Sequence, residues 1–295
     1  MKDALIKILG EKNLLINEPL KNYTTFKIGG NADFIALPES IGQAVAVIEF
    51  LRKEKIKYVI LGNGSNVLAS DEGYRGVVVC FEGLKGIVCT DATLEIEAGV
   101  LLSKIAKVAL SESLAGFEEL SGIPGTLGGA IYMNAGAYGK EIREVLESVT
   151  YLDENGEIIT KRADEIKMLY RDTFFMESDT VVLSATLKLE KGDYDVIKGN
   201  MQEVTHKRVS KQPLEFPSAG STFKRPEGHF AGKLIEDSGL KGYTVGGAQV
   251  SEKHAGFVIN IGNATCSDVI ALTDYIKKTV KENYQVELEL EVELL

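Results

Sequence analysis

Apolar residues recur three and four positions apart in several stretches of the chain, which is the spacing of a helix with one buried face. Ser40 precedes one stretch and Thr265 or Ser267 precedes another, and hydroxyl side chains of this kind cap helix N-termini. Residues 1–16 are interrupted by charged side chains, so they predict an amphipathic helix and not a secretion signal. Further helices are predicted at residues 40–54, 101–112, 163–168, 195–210 and 266–283.

Strands are predicted where short apolar runs or strict alternation replace the helical spacing. The segment 286–295 places Val or Leu at every second position with Glu between them, so it predicts a half-buried strand. No apolar run reaches the roughly 20 residues that are needed to cross a bilayer. The other predicted strands are 58–61, 76–80, 94–98, 147–152, 157–160 and 181–189.

Composition and charge narrow the class of protein. The 295 residues are 44% hydrophobic and 26% charged, which is typical of a soluble globular chain with room for two domains. The net charge of −10 argues against a broad nucleic-acid face but leaves room for a small anionic ligand. The three cysteines, Cys80, Cys89 and Cys266, have no zinc spacing and no CxxC. We therefore expect buried thiols, a reducing compartment and no metal site.

Two glycine-rich segments, 62–66 (GNGSN) and 121–139, stand about sixty residues apart. The first begins like GxGxxG but lacks the last glycine, and no P-loop sequence occurs, so a Rossmann site or a P-loop is not expected. Successive backbone N–H groups in such loops can bind a pyrophosphate. The pattern alone leaves two interpretations open, a dinucleotide site or simple tight turns.

Several motifs together resemble the UDP-N-acetylenolpyruvoylglucosamine reductases in order and spacing. The resemblance extends from about residue 22 to residue 292, and its glycine-rich part is highly specific. It implies an α+β chain with a two-lobed FAD-binding domain of the vanillyl-alcohol-oxidase (PCMH) type and a smaller α/β substrate-binding domain. The motifs are 23–30 (YTTFKIGG), 61–66 (LGNGSN), 121–125 (SGIPG), 128–130 (GGA) and 134–139 (NAGAYG).

The resemblance also implies a domain plan and a cofactor. Residues 1–195 are expected to bind FAD, residues 196–285 the UDP-sugar, and residues 286–295 to return to the active site. The FAD is expected to be non-covalent, because neither glycine loop contains a His or Cys that could bond it. The expected FAD-binding residues are Gly62, Asn63, Gly64, Ser65, Asn66, Ser121, Gly122, Ile123, Pro124, Gly125, Gly128, Gly129, Asn134, Gly136 and Ala137.

Three residues match the family's catalytic positions, although each also has an ordinary structural explanation. Ser221 follows a glycine as a turn residue would, but the family match makes it the proton donor. Arg171 could pair with Asp172, whereas the family's Tyr-Arg motif assigns it to the substrate carboxylate. Glu291 lies among other glutamates of the last predicted strand, and only the family match selects it to act with the arginine, in a role that would need a raised pKa.

Cationic side chains are expected to hold the two phosphates of the UDP-sugar. The chain looks like the shorter branch of the family, because only about fifty residues separate Arg171 from Ser221 and leave no space for an inserted Tyr-bearing loop. His254 is given no catalytic role. The expected substrate-binding residues are Tyr170, Lys224, Arg225, Lys233 and Lys253.

The resemblance thus implies an enzyme that uses FAD and NADPH to reduce UDP-N-acetylglucosamine enolpyruvate to UDP-N-acetylmuramate. This is a step of peptidoglycan synthesis, and so of cell wall biogenesis, cell shape and cell division. We expect a cytoplasmic monomer that binds neither nucleic acid nor membrane. Two alternatives stay open: an FAD-linked oxidase or dehydrogenase of the same fold acting on a hydroxy acid or alcohol, and a non-catalytic nucleotide-sugar sensor.

Overall fold

The helices of the computed structural model, which describes all 295 residues, lie largely where the apolar spacing predicts them. They are α1 (Lys2–Leu9), α2 (Ile41–Lys53), α3 (Leu102–Ser111), α4 (Leu127–Tyr132), α5 (Tyr194–Lys211), α6 (Ala231–Asp237) and α7 (Cys266–Tyr284). Helix α2 shows why the spacing works: the side chain of Ser40 accepts a hydrogen bond from the N–H of Gln43, and Ala44, Val47 and Leu51 are buried on one face.

The long helix α7 begins with the Thr265 alternative of the predicted caps. The side chain of Thr265 accepts a hydrogen bond from the N–H of Asp268, and the Asp268 carboxylate accepts one from the N–H of Thr265. The predicted helix at 1–16 is wrong in extent, because α1 ends at Leu9 and a strand begins at Leu14. The predicted helix at 163–168 is also wrong in extent, because only the single 3₁₀ turn Ala163–Glu165 forms there. No helix is both long enough and apolar enough to cross a membrane.

The strands include all of the internal ones predicted. The strands Leu14–Pro19, Asn31–Ala36 and Ile87–Thr90 were not predicted, and neither were several strands of two or three residues, which carry too few side chains to show an alternation. A four-stranded sheet has the order β1-β2-β5-β3, and β3 runs parallel to β5. The strands are β1 (Leu14–Pro19), β2 (Asn31–Ala36), β3 (Tyr58–Leu61), β4 (Val67–Leu68), β5 (Tyr74–Cys80), β6 (Ile87–Thr90), β7 (Thr93–Glu97), β8 (Leu114–Ala115), β9 (Gly136–Ala137), β10 (Lys140–Glu141), β11 (Leu146–Leu152), β12 (Ile158–Arg162), β13 (Met168–Leu169), β14 (Asp172–Thr173), β15 (Val181–Lys188), β16 (Glu190–Lys191), β17 (Thr244–Val245), β18 (Ala248–Val250), β19 (Val258–Asn260) and β20 (Glu293–Leu294).

The C-terminal segment differs from the ten-residue strand that its alternation predicts. Leu288 and Val292 are buried as the alternation requires, but the segment changes partners along its length. Leu290 forms an antiparallel bridge with Phe223, and only β20 is a regular strand, parallel to β4. The prediction is therefore wrong in extent, because no single neighbouring strand pairs with all ten residues.

The chain forms two compact units, and it passes between them several times. The first consists of Met1–Ile16, Phe34–Asn63 and Gly76–Lys207. It contains the antiparallel sheet β12-β11-β15-β7-β6 and a large apolar core that includes Leu51, Ile96 and Ile105. Strands β6–β7 and β11–β12 pair with their neighbours in sequence, whereas β7 and β15 pair although they are distant in sequence.

The second unit consists of Asn17–Asp33, Gly64–Arg75 and Arg208–Leu295. It contains the small antiparallel sheet β17-β18-β19, the β4–β20 pair and helices α6 and α7. Its core includes Phe26, Leu272 and Ile276, so the motif at 23–30 is part of this unit. The functional division at residues 195/196 stays a prediction that these compact units do not test.

Candidate functional site

The loop 62–66 between β3 and β4 leaves its backbone N–H groups without acceptors. None of the five N–H groups from Gly62 to Asn66 donates a hydrogen bond within the protein. A side chain at Gly62 would overlap the Thr126 hydroxyl, and one at Gly64, whose φ is +57°, would overlap the carbonyl oxygen of Tyr23. Packing against Thr126 and Tyr23 therefore requires glycine at positions 62 and 64. The run of unpaired N–H groups suits phosphate oxygens, so the loop fits the pyrophosphate of FAD.

The segment 121–129 approaches the same loop within the first unit. The amide nitrogen Nδ2 of Asn63 lies 2.5 Å from the carbonyl oxygen of Pro124 and donates to it. The hydroxyl of Ser121 donates to the carbonyl of Glu118 at 2.6 Å, so this side chain is used locally. Asn63 and Ser121 therefore shape the two loops through side-chain bonds to the backbone.

Helix α4 begins in this segment, and its glycines serve two different purposes. At Gly128 the backbone N–H donates to Ala98 at 2.8 Å, and a side chain there would lie 2.9 Å from the Ala98 Cβ. Close packing therefore requires Gly128. At Gly129 an added Cβ would meet only the Thr126 hydroxyl, at an ordinary 3.5 Å, so packing within the protein does not explain this glycine.

Arg171 lies in the two-residue turn of the short hairpin β13–β14, in the first unit. Its φ is +52°, a left-handed backbone conformation that residues other than glycine seldom adopt. The guanidinium nitrogen Nη1 donates to the carbonyl of Asn134 at 3.0 Å, and Cζ lies 5.0 Å from the centre of the Tyr170 ring. The predicted residues Asn134, Tyr170 and Arg171 thus lie together, and Gly136 and Ala137 form β9 two residues after Asn134.

Ser221 and Glu291 lie on neighbouring backbone segments of the second unit. The N–H of Glu291 donates to the carbonyl of Thr222 at 2.9 Å, directly beside Ser221. The hydroxyl of Ser221 is exposed and makes no hydrogen bond within the protein, whereas Glu291 is half-buried. A free hydroxyl beside a carboxylate residue is an arrangement that can supply a proton to a bound molecule.

Two other residues of the second unit hold these segments in place. The side-chain nitrogen Nδ2 of Asn66 donates to the carbonyl of Glu291 at 2.8 Å, and the N–H of Glu293 donates back to the carbonyl of Asn66 at 2.9 Å. The hydroxyl of Thr25 donates to the carbonyl of Ser218 at 2.7 Å, and its N–H donates to Gly64 at 3.1 Å. The sequence analysis assigned no role to Thr25, and only its place in the 23–30 motif pointed to one.

The predicted substrate-binding cations all have partners within the protein. Lys224 lies 3.4 Å from Glu289, Lys233 lies 2.5 Å from Asp237, and Lys253 lies 3.8 Å from Glu215. The guanidinium carbon of Arg225 lies 4.0 Å from the centre of the exposed Phe230 ring. Exposed ion pairs of this kind are weak, so the lysines can exchange a carboxylate for a phosphate at little cost.

His254 and the cysteines play structural parts. The ring nitrogen Nδ1 of His254 accepts a hydrogen bond from the N–H of Gly256 at 3.1 Å, and burial lowers the pKa of this imidazole. Burial raises the pKa of the Cys80 thiol, so it stays protonated and unreactive. Cys266 is buried as well, but the expectation of buried thiols is wrong for Cys89, which is only partly buried. No group of three or more His, Cys, Asp or Glu side chains could hold a metal ion.

Two family models match the chain in complementary places. The model for the C-terminal domain of UDP-N-acetylenolpyruvoylglucosamine reductase matches residues 212–295. The model for an FAD binding domain matches residues 32–161. The first range contains Ser221 and Glu291, and the second contains both glycine-rich segments.

Curated proteins and a solved structure match over nearly the whole chain. A UDP-N-acetylenolpyruvoylglucosamine reductase of Caldanaerobacter subterraneus is 53% identical over 293 residues, 99% of this chain and 97% of that one. The reductase of Clostridium novyi is 50% identical over 291 residues, 99% of this chain and 95% of that one. The crystal structure of the Thermus caldophilus reductase is 33% identical with a TM-score of 0.80, covering 95% of this chain and 97% of that one.

Proposed function

Because this chain belongs to the UDP-N-acetylenolpyruvoylglucosamine reductase family, we propose how its own residues carry out the family's reaction. The protein is an FAD- and NADPH-dependent oxidoreductase of peptidoglycan precursor synthesis, with an FAD-binding domain of the PCMH type. It reduces UDP-N-acetylglucosamine enolpyruvate to UDP-N-acetylmuramate.

The backbone of the two glycine-rich segments is proposed to hold FAD without a covalent bond. The five unpaired N–H groups of residues 62–66 would bind the pyrophosphate, and the open position at Gly129 leaves room beside it. When bound, FAD supplies a hydride that originates from NADPH. Heat denaturation tests the non-covalent part, since all of the yellow colour should then leave the precipitated protein.

Arg171 is proposed to bind the carboxylate of the enolpyruvyl group. Addition of hydride to the β-carbon leaves negative charge on the α-carbon and its carboxylate. A planar guanidinium, held by Asn134 and Tyr170, can donate two parallel hydrogen bonds to that carboxylate. Such preorganised stabilisation contributes about 10²–10³ in rate.

Ser221 is proposed to donate a proton to the α-carbon, and Glu291 to act at the carboxylate end of the substrate. The observation that carries this assignment is the exposed Ser221 hydroxyl, which has no partner in the protein, on a segment bonded to the backbone of Glu291. The alkoxide left on Ser221 can regain its proton from solvent. Hydride and proton together complete the reduction of the double bond.

The substrate is proposed to bind through residues 196–285, with Tyr170, Lys224, Arg225, Lys233 and Lys253 as the polar contacts. The match of residues 212–295 to the family's C-terminal domain supports this division. A photoreactive UDP analogue should label peptides from 196–285. We also propose that the protein works in the cytoplasm as a monomer, which light scattering would check by a mass near 32.1 kDa.

The Ser221→Ala variant tests the central assignment. We expect reduction of the flavin by NADPH to stay near the wild-type rate, because no proton from Ser221 is needed there. Reoxidation of photoreduced enzyme by the enolpyruvyl substrate should slow by at least about 10²-fold in stopped flow.

The matched control is Ser103→Ala, which removes another exposed hydroxyl that makes no hydrogen bond, from helix α3. It should leave both half-reactions unchanged. An equal loss in both half-reactions of Ser221→Ala would contradict the proton-donor role. A substrate that fails to reoxidise even the wild-type flavin would contradict the reductase function itself.

A further inference from the structure

Asn134 is completely buried, and its side chain is fully occupied by the protein. Its amide nitrogen Nδ2 donates to the carbonyl of Leu169 at 3.1 Å and to the Glu141 carboxylate at 3.0 Å. Its oxygen Oδ1 accepts the N–H of Arg143 at 3.3 Å. Both N–H donors of the amide are thereby used, so the side chain has none left to offer a flavin.

The same residue holds the arginine that is proposed to bind the substrate. The backbone carbonyl oxygen of Asn134 accepts the hydrogen bond from Nη1 of Arg171. The side chain of Asn134 donates to the carbonyl of Leu169, which lies two positions before Arg171. Asn134 therefore contacts the hairpin β13–β14 twice, once at its backbone and once at the guanidinium. One of the five guanidinium N–H donors is committed in this way, which restricts rotation of the group.

The hairpin needs such support because it is very short. Each strand pairs over only two residues, and a hairpin of this size is not stable alone. Two more bonds fasten it: Nη1 of Arg143 donates to Met168 at 3.0 Å, and the Thr173 hydroxyl donates to Tyr132 at 2.5 Å. Arg143 is in turn paired with Glu141 at 2.7 Å. All of these contacts lead back to the segment that contains Asn134.

We propose that Asn134 is a positioning residue that orients Arg171, and that its side chain does not contact the flavin. The inference rests on the proposed role of Arg171 at the substrate carboxylate. It gives Asn134 a task different from the FAD contact expected from its motif. Because Asn134 lies in the glycine-rich segment itself, the segment that is proposed to hold FAD also fixes the side chain that is proposed to hold the substrate.

The Asn134→Gly variant tests the proposal, since glycine accepts the φ of +45° at this position while the side-chain bonds disappear. Reoxidation of reduced enzyme by the enolpyruvyl substrate should slow by about 10- to 100-fold, because a small misplacement of a binding group has effects of this size. The affinity for FAD and the rate of reduction by NADPH should stay within about 3-fold of wild type, because the Asn134 side chain is proposed not to contact the flavin.

A double-mutant cycle with Arg171→Ala separates positioning from general damage. If Asn134 acts through Arg171, adding Asn134→Gly to Arg171→Ala should slow reoxidation by less than about 2-fold more. The matched control is Asn263→Gly, the same change at an exposed asparagine with φ of +55° and no side-chain hydrogen bond, which should leave both half-reactions unchanged. If Asn134→Gly does not fold, Asn134→Asp keeps the volume but loses donors to Leu169 and Glu141, and the same criteria apply to it.

Two results would overturn the inference. One is a loss of FAD affinity or of NADPH-dependent reduction as large as the loss in reoxidation, which would make Asn134 a cofactor residue. The other is a full multiplicative loss in the double variant. A failure of the proposed function looks different, because Arg171→Ala alone would then reoxidise at the wild-type rate.

Discussion

Gly64→Ala should strongly weaken FAD binding, and the structure gives the size of the effect. Gly64 has a φ of +57°, and an added Cβ would overlap the Tyr23 carbonyl oxygen and lie 2.9 Å from the Cα of Thr24. The left-handed conformation costs alanine about 1 kcal/mol. Overlap with backbone atoms, which cannot rotate away, adds about 2 kcal/mol. If the loop moves to relieve this strain, its N–H groups move too, and about 3 kcal/mol corresponds to roughly 100-fold weaker binding.

The assay is a fluorescence titration of apoprotein with FAD, with Gly239→Ala as the matched control. Gly239 has a φ of +71°, but no atom lies within 4 Å of its added Cβ. Gly239→Ala therefore carries only the conformational cost of about 1 kcal/mol in unfolding, and its FAD affinity should equal that of wild type. The difference between the two variants isolates the overlap at Tyr23.

A dissociation constant for Gly64→Ala within about 3-fold of Gly239→Ala would refute the reasoning, because the overlap is expected to be worth far more. It would mean either that the loop relaxes freely or that its N–H groups do not hold the cofactor. A normal affinity combined with a lower unfolding free energy would select the second explanation.

Two further predictions concern stability, measured by urea unfolding. Burial opposes the charge of Asp71, but hydrogen bonds from Ser267 and Cys266 outweigh it and hold the pKa of this carboxyl below its usual value. Since Asp71 is exposed and screened, Asp71→Asn should lower the unfolding free energy by only about 1 kcal/mol at pH 7. A carboxyl whose pKa is lower in the folded state stabilises the protein fully only above its unfolded pKa of about 3.9. The difference in unfolding free energy between wild type and Asp71→Asn should therefore vanish as the pH falls through the lower, folded-state pKa. Gly42→Ala, in the first turn of α2 with no atom within 4 Å of the new Cβ, should raise the unfolding free energy by about 0.5 kcal/mol, and a decrease would show an unrecognised need for glycine.

Local sequence was sufficient for most of the secondary structure. Helix α2 follows from the cap at Ser40 and the buried stripe from Ala44 to Leu51, and β7 from the alternation of Leu94 and Ile96 with glutamates. Both patterns depend only on neighbours a few residues away, so no distant contact is needed to predict them. The C-terminal segment was wrong in extent because a strand also needs a partner, and its partners, around Phe223 and at Val67–Leu68, are distant in the sequence.

The motifs of the sequence determined the family, the cofactor and the residue types that the reaction requires. Only the tertiary structure decided how those residues are held. Asn66 and Thr25 donate hydrogen bonds to the backbone of Glu291 and of Ser218, and the carbonyl of Asn134 accepts one from Arg171. A polar side chain that becomes buried must find a hydrogen-bond partner, and this requirement can be stated from the sequence. Which carbonyl becomes that partner depends on where packing of the apolar core brings the backbone, and no local pattern contains that information.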